Sequence, residues 1–149
     1  ELERVAGEIA EYSGGTPLII REVVRELLTG PEPWDGRFPP DFQLPRTVRP
    51  LLERKLAQVS PEAMRVAQAV ALARGEATMD LLYSMLGLSM DDLAARCREL
   101  ERRQLVRGGW FTQGALAALV LEGTPAPVRA DLTRRMTTWK ALRRYGGLW

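Results

Sequence analysis

The sequence contains no histidine and only one cysteine, Cys97, and these two facts limit its chemistry first. Histidine is the commonest general base and the commonest metal ligand in proteins. A lone cysteine without a histidine is a poor nucleophile and cannot close a disulfide within the chain. Neither a CxxC nor an HExxH spacing occurs, so a zinc site is not expected. We therefore expect no catalytic residue and no metal site here, and a reducing compartment.

Long apolar runs and a phosphate-binding loop are also missing from the sequence. No apolar stretch reaches the roughly 18 residues that a membrane-spanning helix needs, and no signal peptide is recognisable. No GxxxxGK[ST] run occurs, so the chain carries no P-loop. These features predict a cytoplasmic protein with no membrane partner, and not an enzyme. Because the first residue is Glu1 rather than Met, we expect the chain to be a piece of a longer protein.

What the sequence does contain is a succession of helical patterns in a chain that is 46% hydrophobic. Apolar residues recur at helical spacing over residues 2–12, 17–28, 46–59 and 61–73. Thr16 is expected to cap the second helix, with Pro17 at its first position, and Ser60 the fourth helix, with Pro61 at its first position. Five prolines exclude a helix from residues 31–45, where aromatic side chains are expected to hold the loop to the core.

Residues 78–112 carry the most informative order of elements. Thr78 is expected to cap a short helix, and Ser89 a longer one after a tight turn at Gly87. Two short apolar runs then flank Gly108-Gly109, which indicates a β-hairpin. This order is the plan of a winged helix-turn-helix. The predicted fold class is thus mainly α: a helical bundle, a winged helix-turn-helix with a small β-hairpin, and C-terminal helices over 114–121 and 126–144.

Two long strings resemble one protein family. YSGGTPLIIREVVRELL, residues 12–28, resembles the GNPLFLEEL segment of STAND-class, AAA+-like signalling ATPases, which include the large ATP-binding LuxR-type and MalT-like transcriptional regulators. Residues 44–107, from LPRTVRPLL to LVR, resemble the lid helix, the "LSPEAR" motif and the winged helix of the same proteins. The resemblance covers about residues 1–122. It implies a helical lid subdomain over 1–59, a winged-helix domain over 60–112 and a C-terminal helical extension over 113–149.

The resemblance also implies where a nucleotide would be contacted. In the family, a Gly-x-Pro-Leu turn of the lid touches the adenine, a role that falls on Gly15, Thr16 and Pro17. Glycine lets backbone approach a flat base, and proline offers a rigid apolar face. The alternative is that this turn simply connects two helices. The family's Phe-Arg-His strand, whose histidine can sense phosphate, corresponds to Phe111-Thr112-Gln113, and Gln113 can donate a hydrogen bond but cannot become cationic.

The function implied is that of a non-catalytic regulatory part of a nucleotide-dependent signalling ATPase or transcriptional regulator. It would close on bound nucleotide and transmit the nucleotide's state by hinge motion. The parent protein, rather than this chain, would bind ATP or ADP with Mg²⁺. The parent's nucleotide-binding domain is the expected partner, and a second copy of the chain is another that we consider.

A winged-helix DNA-binding regulator is the alternative function. Its reading helix would begin at Met90, where Asp91 and Asp92 would meet DNA phosphates, so direct DNA binding is expected to be weak.

The end of the chain is basic. Residues 125–149 hold six basic side chains and one acid, Asp131. The basic residues are Arg129, Arg134, Arg135, Lys140, Arg143 and Arg144. Such a segment can bind phosphate, but it is also typical of a solvated helix face or of a face that meets another part of a parent protein.

Overall fold

The structure, a computed structural model, describes residues 1–146 of the chain. In these residues it contains eight α-helices and one two-stranded antiparallel sheet. In chain order the elements are α1 (Leu2–Ser13), α2 (Pro17–Thr29), α3 (Arg49–Ala57), α4 (Pro61–Ala73), α5 (Met79–Leu86), α6 (Met90–Arg102), β1 (Val106–Arg107), β2 (Trp110–Phe111), α7 (Gly114–Glu122) and α8 (Ala126–Gly146). The predicted mainly helical fold class is confirmed, as is the small hairpin.

Three helices, α4, α5 and α6, begin at side-chain caps that the sequence marks. Ser60 Oγ accepts a hydrogen bond from the Ala63 N–H at 3.2 Å, at the start of α4. Thr78 caps α5 and Ser89 caps α6 in the same way, at 3.2 and 3.1 Å. The prediction of a helix over 46–59 is wrong at both ends, because α3 is only Arg49–Ala57. Pro50 has no N–H to bond the carbonyl four residues earlier, so the helix cannot be extended backward through it.

Contacts between Cα atoms divide the chain into two compact units. Unit 1 consists of residues 1–58 and 112–119, and unit 2 of residues 59–111 and the residues from 120 onward. The segment after residue 112 is therefore shared between the units. The division into domains 1–59, 60–112 and 113–149 stays a prediction, and residues 147–149 of the last domain lie outside the described residues.

The core of unit 1 is built from α1, α2, α3 and the first residues of α7. Its buried apolar side chains are Val5, Ile19, Val23, Leu27, Val48, Leu52, Ala115 and Leu116. The loop over residues 31–45 is held to α1 by three rings: Tyr12 lies 5.4 Å from Phe38 and 5.4 Å from Phe42, between ring centroids. The expected anchoring of this loop by aromatic side chains is thereby confirmed at two of its positions.

Unit 2 packs α4, α5, α6 and α8 around a core that includes Val66, Leu81, Met85, Leu93, Leu100 and Leu132. Its hairpin pairs Val106 with Phe111 and Arg107 with Trp110. Gly108 and Gly109 both have positive φ, 58° and 84°, which two-residue hairpin turns of this kind require. Among residues 1–146, no helix combines the length and apolar character needed to cross a membrane.

Candidate functional site

The turn between α1 and α2 is fixed from its inner side. Gly14 ends α1 with φ 64°, and its N–H and that of Gly15 both bond the Ala10 carbonyl. Ser13 is fully buried beneath the turn, and its Oγ accepts a hydrogen bond from the Gly15 N–H at 3.2 Å. Gly15 and Pro17 are left exposed on its outer side.

Thr16 stands at the N-cap position of α2 but does not act as a cap. Its backbone is extended, with φ −73° and ψ 116°, yet its side chain makes no hydrogen bond to α2. Instead, Thr16 Oγ1 accepts a hydrogen bond from Gln113 Nε2 at 3.0 Å, across 97 residues of sequence. The prediction that the Thr16 side chain caps α2 is therefore wrong. Its hydroxyl is hydrogen-bonded to Gln113, which belongs to another segment of the chain.

The same two segments approach each other very closely at the backbone. A Cβ atom at Gly14 would lie 2.5 Å from Gln113 Cγ and 2.6 Å from the Thr112 carbonyl oxygen. Real Cβ atoms do not come this near to other heavy atoms, so only glycine fits. The positive φ of Gly14 independently favours glycine. On the far side of Gln113, a Cβ at Gly114 would lie 3.2 Å from Tyr12 Cα.

Gln113 is buried but incompletely hydrogen-bonded. Its residue exposure is 8%, and its Oε1 has no hydrogen-bond partner among the described residues. A buried acceptor without a donor costs roughly 1–3 kcal/mol. The neighbouring Tyr12 is in a similar condition, because its buried hydroxyl also has no partner among residues 1–146. Burial raises the pKa of Tyr12 to about 12, against a smaller lowering by the charge of Arg49.

The four residues predicted to contact nucleotide thus lie around one turn. Thr16 and Gln113 are hydrogen-bonded to each other, and Gly15 and Pro17 flank Thr16 in the chain. A Cβ at Gly15 would meet no atom within 4 Å, so the space above it is open. Gly15 and Pro17 are thus exposed beside Thr16, whose partner Gln113 is buried.

Other candidate chemistry is weak in the described part of the chain. Within residues 1–146, no group of three or more cysteine or acidic side chains could hold a metal ion. Burial, and next the charge of Glu101, raise the pKa of the Cys97 thiol. The reactive thiolate is therefore disfavoured at Cys97.

The first turn of α6, where the DNA-binding alternative would place base contacts, is acidic. Asp91 and Asp92 are both exposed there. Further along α6, Glu99 accepts hydrogen bonds from the Ser60 N–H and the Ser60 hydroxyl, each at 2.9 Å. The backbone bond from Ser60 holds the pKa of Glu99 below its usual value. Arg96 lies 3.3 Å from Glu99, so this arginine is already paired within α6.

The sequence did not show that Tyr12, Ser13 and Gly14 would pack against residues 112–114, where the α1–α2 turn meets Gln113. The Gly14-Gly15 pair indicates in the sequence that α1 ends there, and Gly14 does end it in a left-handed conformation, but nothing local shows which segment packs against the pair. Comparison of the chain with models of protein families, with curated proteins and with solved structures found no match.

Proposed function

We propose that this chain is the lid and winged-helix part of a cytoplasmic, nucleotide-dependent signalling ATPase or transcriptional regulator. In this proposal, the α1–α2 turn and Gln113 form the surface that senses bound nucleotide. The observation that carries it is the hydrogen bond between Thr16 and Gln113. Two motifs that the same resemblance assigns to the nucleotide, 97 residues apart in the sequence, are hydrogen-bonded to each other.

The chemistry of this surface suits a purine base better than a charged ligand. Pro17 offers an exposed, rigid ring without an N–H, and the open space above Gly15 allows close approach. Phosphates would instead be held by a P-loop and Mg²⁺, which the sequence does not contain. The chain alone should therefore bind ATP or ADP only negligibly, and the parent's nucleotide-binding domain is its main partner.

Gln113 also suits a switch between two states. Its Oε1 lacks a donor in the state described, so a conformation that supplies one gains roughly 1–3 kcal/mol. Coupling free energies between linked sites are typically about 1–3 kcal/mol. A change of partner at this single amide is thus large enough to bias a hinge motion between nucleotide-bound and nucleotide-free states.

The order of elements in unit 2 supports the winged-helix part of the proposal. A short helix, a turn at Gly87, a second helix and a hairpin follow one another over α5, α6, β1 and β2. Direct DNA reading by α6 is the weaker function, because its exposed first turn carries Asp91 and Asp92.

The test compares two prolines that both stand at the first position of a helix, Pro17 in α2 and Pro61 in α4. Pro17→Ala and Pro61→Ala are introduced into the 149-residue chain and into the full-length parent. In the 149-residue chain each should cost at most about 1 kcal/mol of stability, through the unfolded state. In the parent, Pro17→Ala should speed ADP release by about fivefold or more, whereas Pro61→Ala should leave it unchanged.

ADP dissociation is followed with a fluorescent analogue and stability by thermal melting. If ADP release from the parent is the same in wild type and Pro17→Ala, the turn is only a helix connector. If Pro61→Ala speeds release equally, the effect reflects general destabilisation, and the proposed contact is wrong.

A further inference from the structure

The last helix, α8, leaves much of its length uncovered by the described residues. It runs for 21 residues, Ala126–Gly146, and Leu132 is its buried anchor. From residue 140 to residue 146 every position is exposed. Two large apolar side chains in that stretch, Leu142 and Tyr145, are 68% and 66% exposed. Exposed apolar groups concentrated on one helix mark an interaction surface more often than isolated ones do.

Within unit 2, α8 and α5 enclose a groove of about 230 Å³, which we call the α5–α8 groove. Its lining residues are Ser84, Arg134, Arg135, Thr138, Trp139 and Leu142. Pockets for small organic ligands usually measure about 300–1,000 Å³, so this groove is better matched to one or two side chains. Trp139 and Leu142 supply its apolar part, and Arg134 and Arg135 lie at its border.

The groove is basic as well as apolar. Arg134 and Arg135 both pair with a single carboxylate, Asp131, the Arg135 Nε atom at 3.1 Å from Oδ2. One carboxylate cannot neutralise two guanidinium groups, so positive charge remains beside the groove. An occupant with acidic groups next to apolar ones would match both properties.

We propose that the α5–α8 groove is a docking site for an acidic amphipathic helix of a partner protein. Apolar side chains of that helix enter the groove against Trp139 and Leu142, as in other helix-in-groove complexes. Its Asp and Glu side chains face Arg134 and Arg135, which steers and orients the partner. This docking site is built from residues of unit 2 alone and does not depend on the proposed function, which concerns residues of unit 1.

A nucleic acid is the competing occupant of a basic surface, and two observations disfavour it. The guanidinium of Arg143 lies 4.8 Å from the centroid of the Trp139 ring, so a base could stack on that face only after displacing Arg143. The apolar groove would also contribute nothing to phosphate binding, which depends on exposed cations.

The test uses the 149-residue chain and a synthetic fluorescent peptide helix of about 18 residues, which is five turns. The peptide carries leucines on one face and glutamates on the other, and a matched peptide has lysine at each glutamate. A short fluorescent DNA duplex is the third probe. Binding is measured by fluorescence anisotropy at low and at physiological salt. We expect the acidic peptide to bind, the basic peptide not to bind, and the duplex to bind more weakly than the acidic peptide.

Variants of the groove identify where the peptide binds. Arg134→Glu with Arg135→Glu should weaken binding of the acidic peptide by about tenfold or more, since like charges then face each other. The matched control, Arg65→Glu with Arg98→Glu, changes the net charge equally at two exposed positions on α4 and α6, outside the groove. It should weaken binding by less than about twofold, through long-range charge alone.

Leu142→Ala tests the apolar part of the groove without risk to the core, because Leu142 is largely exposed. It should also weaken the acidic peptide by several-fold, and thermal melting checks that each variant is folded. The proposal is overturned if no acidic peptide binds, if the duplex binds more tightly than the peptide, if the control pair weakens binding as much as the groove pair, or if Leu142→Ala has no effect.

Discussion

Two junctions in this protein join the start of a helix to a side chain far along the chain, and they differ in how well their polar groups are satisfied. In unit 2, Ser60 caps α4 and also donates its hydroxyl and its N–H to Glu99, 39 residues away. In unit 1, the Thr16 hydroxyl does not cap α2 but accepts a hydrogen bond from Gln113 Nε2. Gln113 Oε1 has no donor among the described residues.

The two units as a whole also differ in how completely their buried polar atoms are hydrogen-bonded. Among residues 1–146, the buried side-chain polar atoms without a partner are the Tyr12 hydroxyl and Gln113 Oε1, and both belong to unit 1. Native proteins leave few such groups, and those they keep often stand at sites of function or strain. At the Ser60 junction each buried polar group has a partner, whereas the Thr16 junction keeps a buried acceptor without a donor among the described residues, and the predictions below test what this difference is worth in stability.

The largest expected effect comes from forcing the Thr16 junction apart. Gly14→Ala would place a methyl group 2.6 Å from the Thr112 carbonyl oxygen, on a residue with φ 64°. We expect a loss of about 2–4 kcal/mol, from left-handed backbone strain plus the clash. Urea denaturation measures it. Gly15→Ala is the control: its φ is also positive, but its Cβ meets open space, so it should cost only about 1–2 kcal/mol. Equal losses would show that the close packing of the junction contributes nothing.

The second effect tests the satisfied junction. Glu99→Gln removes the charge that strengthens both bonds from Ser60 and should cost about 1 kcal/mol at neutral pH. Because the pKa of Glu99 is lowered in the folded state, its contribution is present above the usual value of 4.5 and is lost as the pH falls through the folded pKa. The stability difference between wild type and Glu99→Gln should therefore shrink in acid.

Denaturation at neutral and at acid pH checks this expectation, and Glu101→Gln, at an exposed position of the same helix, is the matched control. A difference that stays constant below pH 4.5 would contradict the role given to the Glu99 charge.

How well the sequence predicts each junction depends on how local its partners are. The caps by Ser60, Thr78 and Ser89 were predictable, because each hydroxyl bonds an N–H three residues later. Thr16 had the same local pattern, but a second partner competed for its hydroxyl. That partner is Gln113, which lies 97 residues later in the sequence and reaches Thr16 only in the folded chain. Rules based on neighbouring residues cannot predict such a contact.

The sites follow the same division. The resemblance selected Gly15, Thr16, Pro17 and Gln113, but the bond between two of them depends on the fold. The α5–α8 groove could not be predicted from the sequence. The helical spacing of Trp139 and Leu142 places them on one face of α8, but it does not show that other helices leave this face uncovered.

The third effect compares the two junctions directly. Gln113→Met removes one hydrogen bond, but it also removes an unsatisfied buried oxygen and frees Thr16 to cap α2. These contributions oppose each other, so we expect a change within about 0.5 kcal/mol. Ser60→Ala, at the satisfied junction, should cost about 1–2 kcal/mol, because it removes the cap of α4 and the hydroxyl that donates to Glu99, while the backbone N–H of residue 60 still donates to Glu99. Chemical denaturation measures the change in the free energy of unfolding for both variants. If Gln113→Met destabilises the protein as much as Ser60→Ala does, the two junctions do not differ in the way described.

The smallest effect at neutral pH, and the sharpest in alkali, concerns Tyr12. Its hydroxyl is buried without a partner, so Tyr12→Phe should change stability by less than about 0.5 kcal/mol at pH 7, with either sign.

The pKa of Tyr12 is raised from 10 to about 12 in the folded state, because burial disfavours the phenolate. The folded protein therefore holds this proton more tightly than the unfolded chain does. Stability that is complete below pH 10 should fall as the pH rises toward 12. Phenylalanine has no proton to lose, so the variant should lack this part of the decline and become the more stable of the two in alkali. Parallel curves for wild type and Tyr12→Phe between pH 9 and pH 12 would show that the hydroxyl finds a partner or water in solution. In that case only Gln113 would separate the two junctions.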